Sequence, residues 1–207
     1  MNKKNTIQKD KKLSLDTIER IHPYKMLLFL GALGSFLIFT FLLIAFSVLH
    51  KHTDGQVFNL PKSFLISTFL ILYASFTAFR AEQSLKSENT KSLLKYLGLT
   101  IVLSALFLSF QCYSWIEMYN RGLFFDGHPS SSFMYVLTGL HMLHLLIGFA
   151  FLIYSFAVIG RKTKDNVQEL VFFTNPYEKT RLEVLFLFWH YMAGIWILIF
   201  LYLFFTF

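Results

Sequence analysis

Hydrophobic and polar positions along this chain are segregated into long blocks and not interleaved. Five apolar blocks, at about 26–49, 63–79, 96–116, 130–159 and 184–207, contain no Asp, Glu, Lys or Arg. Each approaches or exceeds the ~20 residues that a helix needs to cross hydrocarbon. Backbone amides and carbonyls inside lipid must be satisfied within the segment, so uniformly apolar runs of this length predict helices. A transmembrane β-barrel would alternate apolar and polar positions, and these blocks do not. The second block is the shortest, and Leu60-Pro61 before it predicts a helix start near Pro61, since proline is tolerated in a first turn. The pattern therefore predicts an all-α, polytopic membrane protein: a five-transmembrane-helix bundle over 25–207, preceded by a basic tail over 1–24.

Composition agrees with one bundle and little else. Of 207 residues, 55% are hydrophobic and 26 are Phe, which leaves little material for a soluble domain. The net charge of +7 could suggest nucleic acid, so its distribution decides the matter. Segments before, between and after the blocks hold seven, two, four, one, five and no Lys or Arg in turn, so alternate segments carry 16 and 3 of the 19. Positive residues stay cytoplasmic, which predicts the amino terminus inside and the carboxyl terminus outside. No folded basic face remains for nucleic acid. The tail residues Lys3, Lys4, Lys9, Lys11 and Lys12 suit anionic headgroups or a partner's acidic surface. A polar stretch of about 25 residues precedes the first block and no small-residue cleavage site follows it, so the first helix is expected to act as its own insertion signal. Cys112 is the single cysteine and lies in the third block, which excludes an internal disulfide and points to a small apolar packing residue. No internal repeat is evident.

Polar residues inside the blocks must face protein or water. Gly31, Gly34 and Ser35 in the first block, and Ser67, Ala74, Ser75 and Ala78 in the second, form small-residue faces suited to close helix contact. The third block places Ser104, Gln111 and Ser114 at helical spacing, with Glu117 one turn further; a buried Gln most often bridges helices. The fourth reads Thr138-Gly139-Leu140-His141-Met142-Leu143-His144, then Gly148, so His141, His144 and Gly148 share one face. The fifth adds Trp189-His190, with Glu183 seven residues before that histidine.

Histidines on one face invite a metal or a haem. A metal site needs three or four ligands, and the candidates are His141, His144, His190 and Gln111, with no carboxylate at mid-membrane depth. Haem needs axial ligands at matched depth. His190 is ~9 Å from the inner end of its helix and His144 ~22 Å from the inner end of its own, so the levels differ. The expectation is histidines hydrogen-bonded within or between subunits, with no cofactor and no metal in this chain. His50-Lys51-His52 with Asp54 reads as a solvated turn.

The Thr-Gly-x-His-x-x-His-x-x-x-Gly run over 138–148 resembles the signature of subunit III of the haem–copper respiratory oxidases. Glu183, just before the fifth block, with Trp189, His190, Trp196 and Tyr202 inside it, resemble that family's last helix, and Phe110 to Trp115 resemble its Gln-x-x-Glu-aromatic element. The resemblance implies the five-helix form of cytochrome c oxidase subunit 3, as in bacterial cytochrome c and quinol oxidases. It implies a place beside subunit I, which holds haems and copper, with subunit II handling cytochrome c and bound phospholipid possible. The family subunit carries no redox centre; it stabilises the catalytic subunit and supports proton uptake.

This chain departs from the pattern at three positions. Gly34-Ser35 stand where the family often has a buried Glu, Ser114 where it has a second, and Ala193 where it has an Asp. A hydroxyl cannot hold charge at neutral pH, so a proton route through this chain is not expected and the structural role gains. A haem–copper catalytic subunit needs about six histidine ligands, and three intramembrane histidines cannot supply them. The expected function is thus that of a non-catalytic accessory subunit of a proton-pumping terminal oxidase in the bacterial cytoplasmic membrane, with cytochrome c the expected donor, quinol the alternative, and a respiratory supercomplex possible. Glu183, Trp189, His190, His141 and His144 are expected to form one polar cluster between the fourth and fifth helices. Two readings of other classes stay open: a small haem b-binding anchor, and a transporter, which would show broken helices or a midplane ionisable pair.

Overall fold

The computed structural model describes residues 23–52, 61–125, 129–163 and 165–206. These form six helices: α1 (Pro23–His52), α2 (Lys62–Lys86), α3 (Thr90–Asn120), α4 (Pro129–Lys162), α5 (Asn166–Thr174) and α6 (Pro176–Thr206). All but α5 are long and apolar enough to cross a membrane. The basic tail and Asp54 lie outside the described residues, apart from the first turn of α1 at Pro23.

Each apolar block is the middle of a helix longer than itself. A helix does not end where hydrocarbon ends, because charged side chains at the interface still support i,i+4 pairing. α2 thus runs on past Phe79 to Lys86, whose Nζ donates to Glu82 at 2.7 Å. α6 begins eight residues before the block at 184, and α1 continues through His50 to His52, so the turn expected there is helix. Pro61 stands at the N-cap of α2, one position before its first helical residue. Between α2 and α3 only Ser87, Glu88 and Asn89 turn the chain, with Glu88 at φ 55° and Asn89 Oδ1 accepting from Ser92 N at 3.0 Å.

That tight turn pairs α2 and α3 antiparallel, and they form the most extensive contact in the bundle. Small residues make it possible: Ser67, Ala74, Thr77, Ala78 and Ala81 are all buried along α2, with the Thr77 and Thr100 hydroxyls 2.9 Å apart across the seam. α6 packs against α1, α2, α4 and α5, and half of its apolar window is buried, against 17% for α1. Its own Phe186, Trp189 and Trp196 join Phe64 of α2 and Phe107 of α3 in the core. Outward-facing Phe29, Phe41, Phe69 and Phe151 are exposed, as hydrocarbon-solvated positions should be.

Two expectations about packing fail. Gly31 and Gly34 are exposed, with nothing within 4 Å of a Cβ placed on either, so of the expected small face of α1 only Ser35 is buried against the bundle. Cys112 is exposed too, because one residue past the buried Gln111 is a rotation of about 100° off the buried stripe. Helix α5 had no counterpart in the block pattern: nine residues, capped by Asp165 Oδ1 on Val167 N, are too short for periodicity to stand out in a charged loop.

Candidate functional site: polar seams and an apolar cavity

Polar side chains inside the bundle are spent on joining helices. On the α2–α3 seam Gln111 Nε2 donates to Ser67 Oγ at 3.0 Å, the bridge its sequence position suggests. One turn along, Ser114 Oγ donates to Ser63 Oγ and Ser63 to Glu117 Oε2, each at 2.8 Å, while Arg121 caps the same carboxylate. Glu117, one turn beyond Ser114, thus has its two oxygens engaged by Ser63 and Arg121. Trp115 Nε1 donates to Thr138 Oγ1 at 3.1 Å, and its ring lies 3.5 Å from where a Cβ on Gly139 would stand, so Thr138 and Gly139 set the α3–α4 approach.

The three intramembrane histidines go to three different seams. His141 is fully buried, donates from Nε2 to the Met192 carbonyl of α6 at 3.1 Å, and is enclosed by the rings of Phe39, Phe107 and Trp196. His144 donates from Nδ1 to its own helix at Leu140 O and faces α1, where Ser35 Oγ stands 3.4 Å from Nε2. His190 Nδ1 lies 2.7 Å from Ser75 Oγ of α2. Glu183 accepts from Lys25 of α1 at 2.6 Å. The single polar cluster expected between the fourth and fifth spans does not form, because α6 sits among α1, α2 and α4 and its polar residues point to each in turn. Trp196 is the node: its Nε1 donates to Thr68 Oγ1 at 3.0 Å, and its ring stacks on Phe64 and meets Phe107 edge-on.

This arrangement does not fit a haem or a metal. Imidazole nitrogens engaged with separate helices cannot face one iron, and the aromatic rings around His141 leave no room for a porphyrin. Among the described residues no three His, Cys, Asp or Glu are gathered to hold an ion. The spanning helices are also unbroken, unlike the interrupted helices of transporters.

Between α1, α4 and α6 lies a cavity of about 560 Å³, with walls including Leu27, Gly31, Ile147, Phe151 and Phe188. It holds few polar groups: Ser35, His144 and Tyr191 toward one part, Tyr177 and Arg181 toward another. Arg181 and Tyr191 are ~15 Å apart along α6. Gly148 faces the Phe188 ring, whose Cε1 would be 2.6 Å from a Cβ there, so glycine at 148 lets that ring stand at the cavity wall. The unfilled small face of α1 is thus one wall of this space.

A further group escaped sequence reasoning. Glu178, 5% exposed, accepts from Lys162 Nζ at 2.7 Å, with Arg181 Nη2 3.0 Å from its other oxygen and the Arg181 guanidinium 5.3 Å from the centre of the Tyr154 ring. Nothing in the sequence marks one glutamate of a charged loop as buried; the signal is its position in the first turn of a helix, where a carboxylate offsets the dipole.

Residues 53–207, which span α2 to α6, match the family described as cytochrome c oxidase subunit III. The chain belongs to that family. It is 28% identical to cytochrome c oxidase subunit 3 of Bacillus sp. (strain PS3), over 84% of this chain and 80% of that one. It is also 28% identical to cytochrome bo(3) ubiquinol oxidase subunit 3 of Buchnera aphidicola, over 66% and 65%, and 26% identical to a probable quinol oxidase subunit 3 of Staphylococcus aureus, over 70% and 67%. As a subunit III it is an accessory subunit of a haem–copper oxidase, of the cytochrome c or the quinol type, and a membrane protein that associates with other oxidase subunits.

Proposed function

We propose that this chain is the non-catalytic subunit III of a proton-pumping cytochrome c oxidase in a bacterial cytoplasmic membrane. It lies beside subunit I, which carries the haems and copper, with subunit II as a further neighbour; a larger respiratory assembly is compatible with its outward faces. One observation carries this reading: the imidazoles of His141, His144 and His190 turn to α6, α1 and α2 respectively and do not converge, so the chain is built as a partner and not as a redox site. Proton uptake is supported indirectly, by holding the catalytic subunit in shape, since Ser35, Ser114 and Ala193 cannot carry a proton as a carboxylate does. The cavity between α1, α4 and α6 suits the acyl chain of a phospholipid, with Arg181 placed for an anionic headgroup. A quinol-oxidising complex is the second reading, favoured by relatives of both types.

Gentle solubilisation followed by mass spectrometry tests the proposal. The chain is expected to leave the membrane with a haem-bearing subunit and a copper-bearing one, whose sequences then decide the donor. Expressed alone, it is expected to be colourless and inert toward reduced cytochrome c and quinol. A haem spectrum or donor oxidation by the isolated chain overturns the reading.

A further inference from the structure

Resting on the phospholipid reading of the cavity, we propose that the N-terminal half of α1, residues 23–34, is its hinged wall: it bends at Gly34-Ser35, is latched on Glu183 by Lys25, and opens sideways to admit the acyl chain of an anionic phospholipid. Helix α1 is packed along one half only. Its buried residues Ser35, Phe39, Leu43 and Phe46 all lie from position 35 onward, where the centre of the Phe39 ring is 5.7 Å from that of His144 and the Phe46 ring 5.8 Å from that of Tyr202. No described side chain before Ser35 is buried, and Leu27, Leu28, Gly31 and Ala32 line the cavity instead. Polar contacts that are easily undone hold this half down. Lys25 donates to Glu183 at 2.6 Å, but the two side chains are 42% and 36% exposed, so water screens the pair. Tyr191 Oη donates to the Ala32 carbonyl at 2.8 Å, which has an intrahelical partner as well, so opening strands no acceptor. Gly34 and Ser35 stand between the halves. Glycine weakens a helix interior, and Gly-Ser pairs are among the places where long helices bend. Nothing lies within 4 Å of a Cβ placed on Gly34, so packing is not what holds glycine there.

Depth fits the ligand. Lys25 with Glu183, Ala32 with Tyr191 and Ser47 with Tyr202 set α1 and α6 parallel at nearly one offset. Arg181 is therefore level with about Pro23, ~5 Å beyond Met26, where the apolar block of α1 begins. A phosphate at Arg181 stays at the membrane surface while its acyl chain runs beside Leu27 to Ala32, the wall that moves. The other two walls are held more firmly. Lys162, Glu178 and Arg181 join α4 to α6 at this end, and α6 is packed against four helices. Motion of the loosely held half of α1 is thus the route by which a chain enters without unpacking the bundle.

Spin labels and lipid exchange test the wall and its ligand separately. The full chain carrying Cys112→Ser, in nanodiscs of phosphatidylcholine and phosphatidylglycerol, is labelled at Leu30→Cys with Leu187→Cys, both exposed; Ile44→Cys with Leu201→Cys is the control pair in the packed half. Electron–electron double resonance is expected to give two distances for the first pair and one for the control. Lys25→Ala should shift weight to the longer distance, and Gly34→Ala to the shorter. A single distance for the first pair that neither substitution moves overturns the hinged wall. In the assembled oxidase, deuterated phosphatidylglycerol is expected to replace a tightly held phospholipid severalfold faster with Lys25→Ala and severalfold slower with Gly34→Ala, read by mass spectrometry. A moving wall with no phospholipid retained overturns the lipid reading and, with it, the ligand proposed for this wall. A retained phospholipid whose exchange ignores both substitutions overturns the gate alone.

Discussion

Among single residues, position decides how much each polar side chain matters. His141 and His144 are one turn apart in the same motif, yet the first is sealed among three rings and the second faces a cavity. His141→Ala should cost about 2–4 kcal/mol, the range for emptying a packed site, and His144→Ala under about 1 kcal/mol, since its contact to Ser35 is long. Thermal unfolding of the purified complex checks the order, with haem content per catalytic subunit unchanged in both. Gly148→Ala places a Cβ against Phe188 and should swing that ring into the cavity. The expected result is a loss of about 1–3 kcal/mol and less co-purifying phospholipid, read by melting temperature and lipid mass spectrometry.

Among elements, the C-terminal end of α4 and the N-terminal end of α6 are joined by charge. Glu178 is buried, while Lys162 and Arg181 remain 45% and 24% exposed, so water screens part of the interaction. Glu178→Gln removes the shared anion and should cost about 1–3 kcal/mol, below the full penalty for breaking a buried pair. A lower melting temperature that high salt does not restore would bear this out. The seams themselves were only half legible. Gln111 as a bridge followed from one amide on an apolar face, which must find a partner across a helix. Its partner Ser67, and the separate destinations of His141, His144 and His190, were not, because periodicity gives the direction of a side chain from its own axis and not which helix lies there.

For the molecule as a whole, the amino terminus inside and the carboxyl terminus outside, expected from the alternation of basic segments, need an odd number of crossings, and the described residues hold five spanning helices. Reporter fusions should place residues before α1 and the α2–α3 turn on the cytoplasmic side and the α3–α4 connection outside; the opposite pattern would refute that orientation. α1 is the outlier in packing, with the smallest buried share among the spanning helices and Gly31 open to the cavity. The bundle of α2 to α6 coincides with the region that matches the family, and α1 leans on it through Lys25–Glu183, Tyr191 to Ala32, and Ser47 with Tyr202.

By itself the sequence determined that this is a five-helix membrane protein, because hydrocarbon leaves a chain one way to satisfy its backbone and charge one place to go. It determined the family as well, since the motif of the fourth block is local along one helix. Tertiary structure alone decided that α6 is the centre, that the histidines separate, that Glu178 is buried, and that a cavity opens beside α1. Those facts depend on which faces of different helices meet, and side-chain size and crossing geometry set that only once the helices are packed.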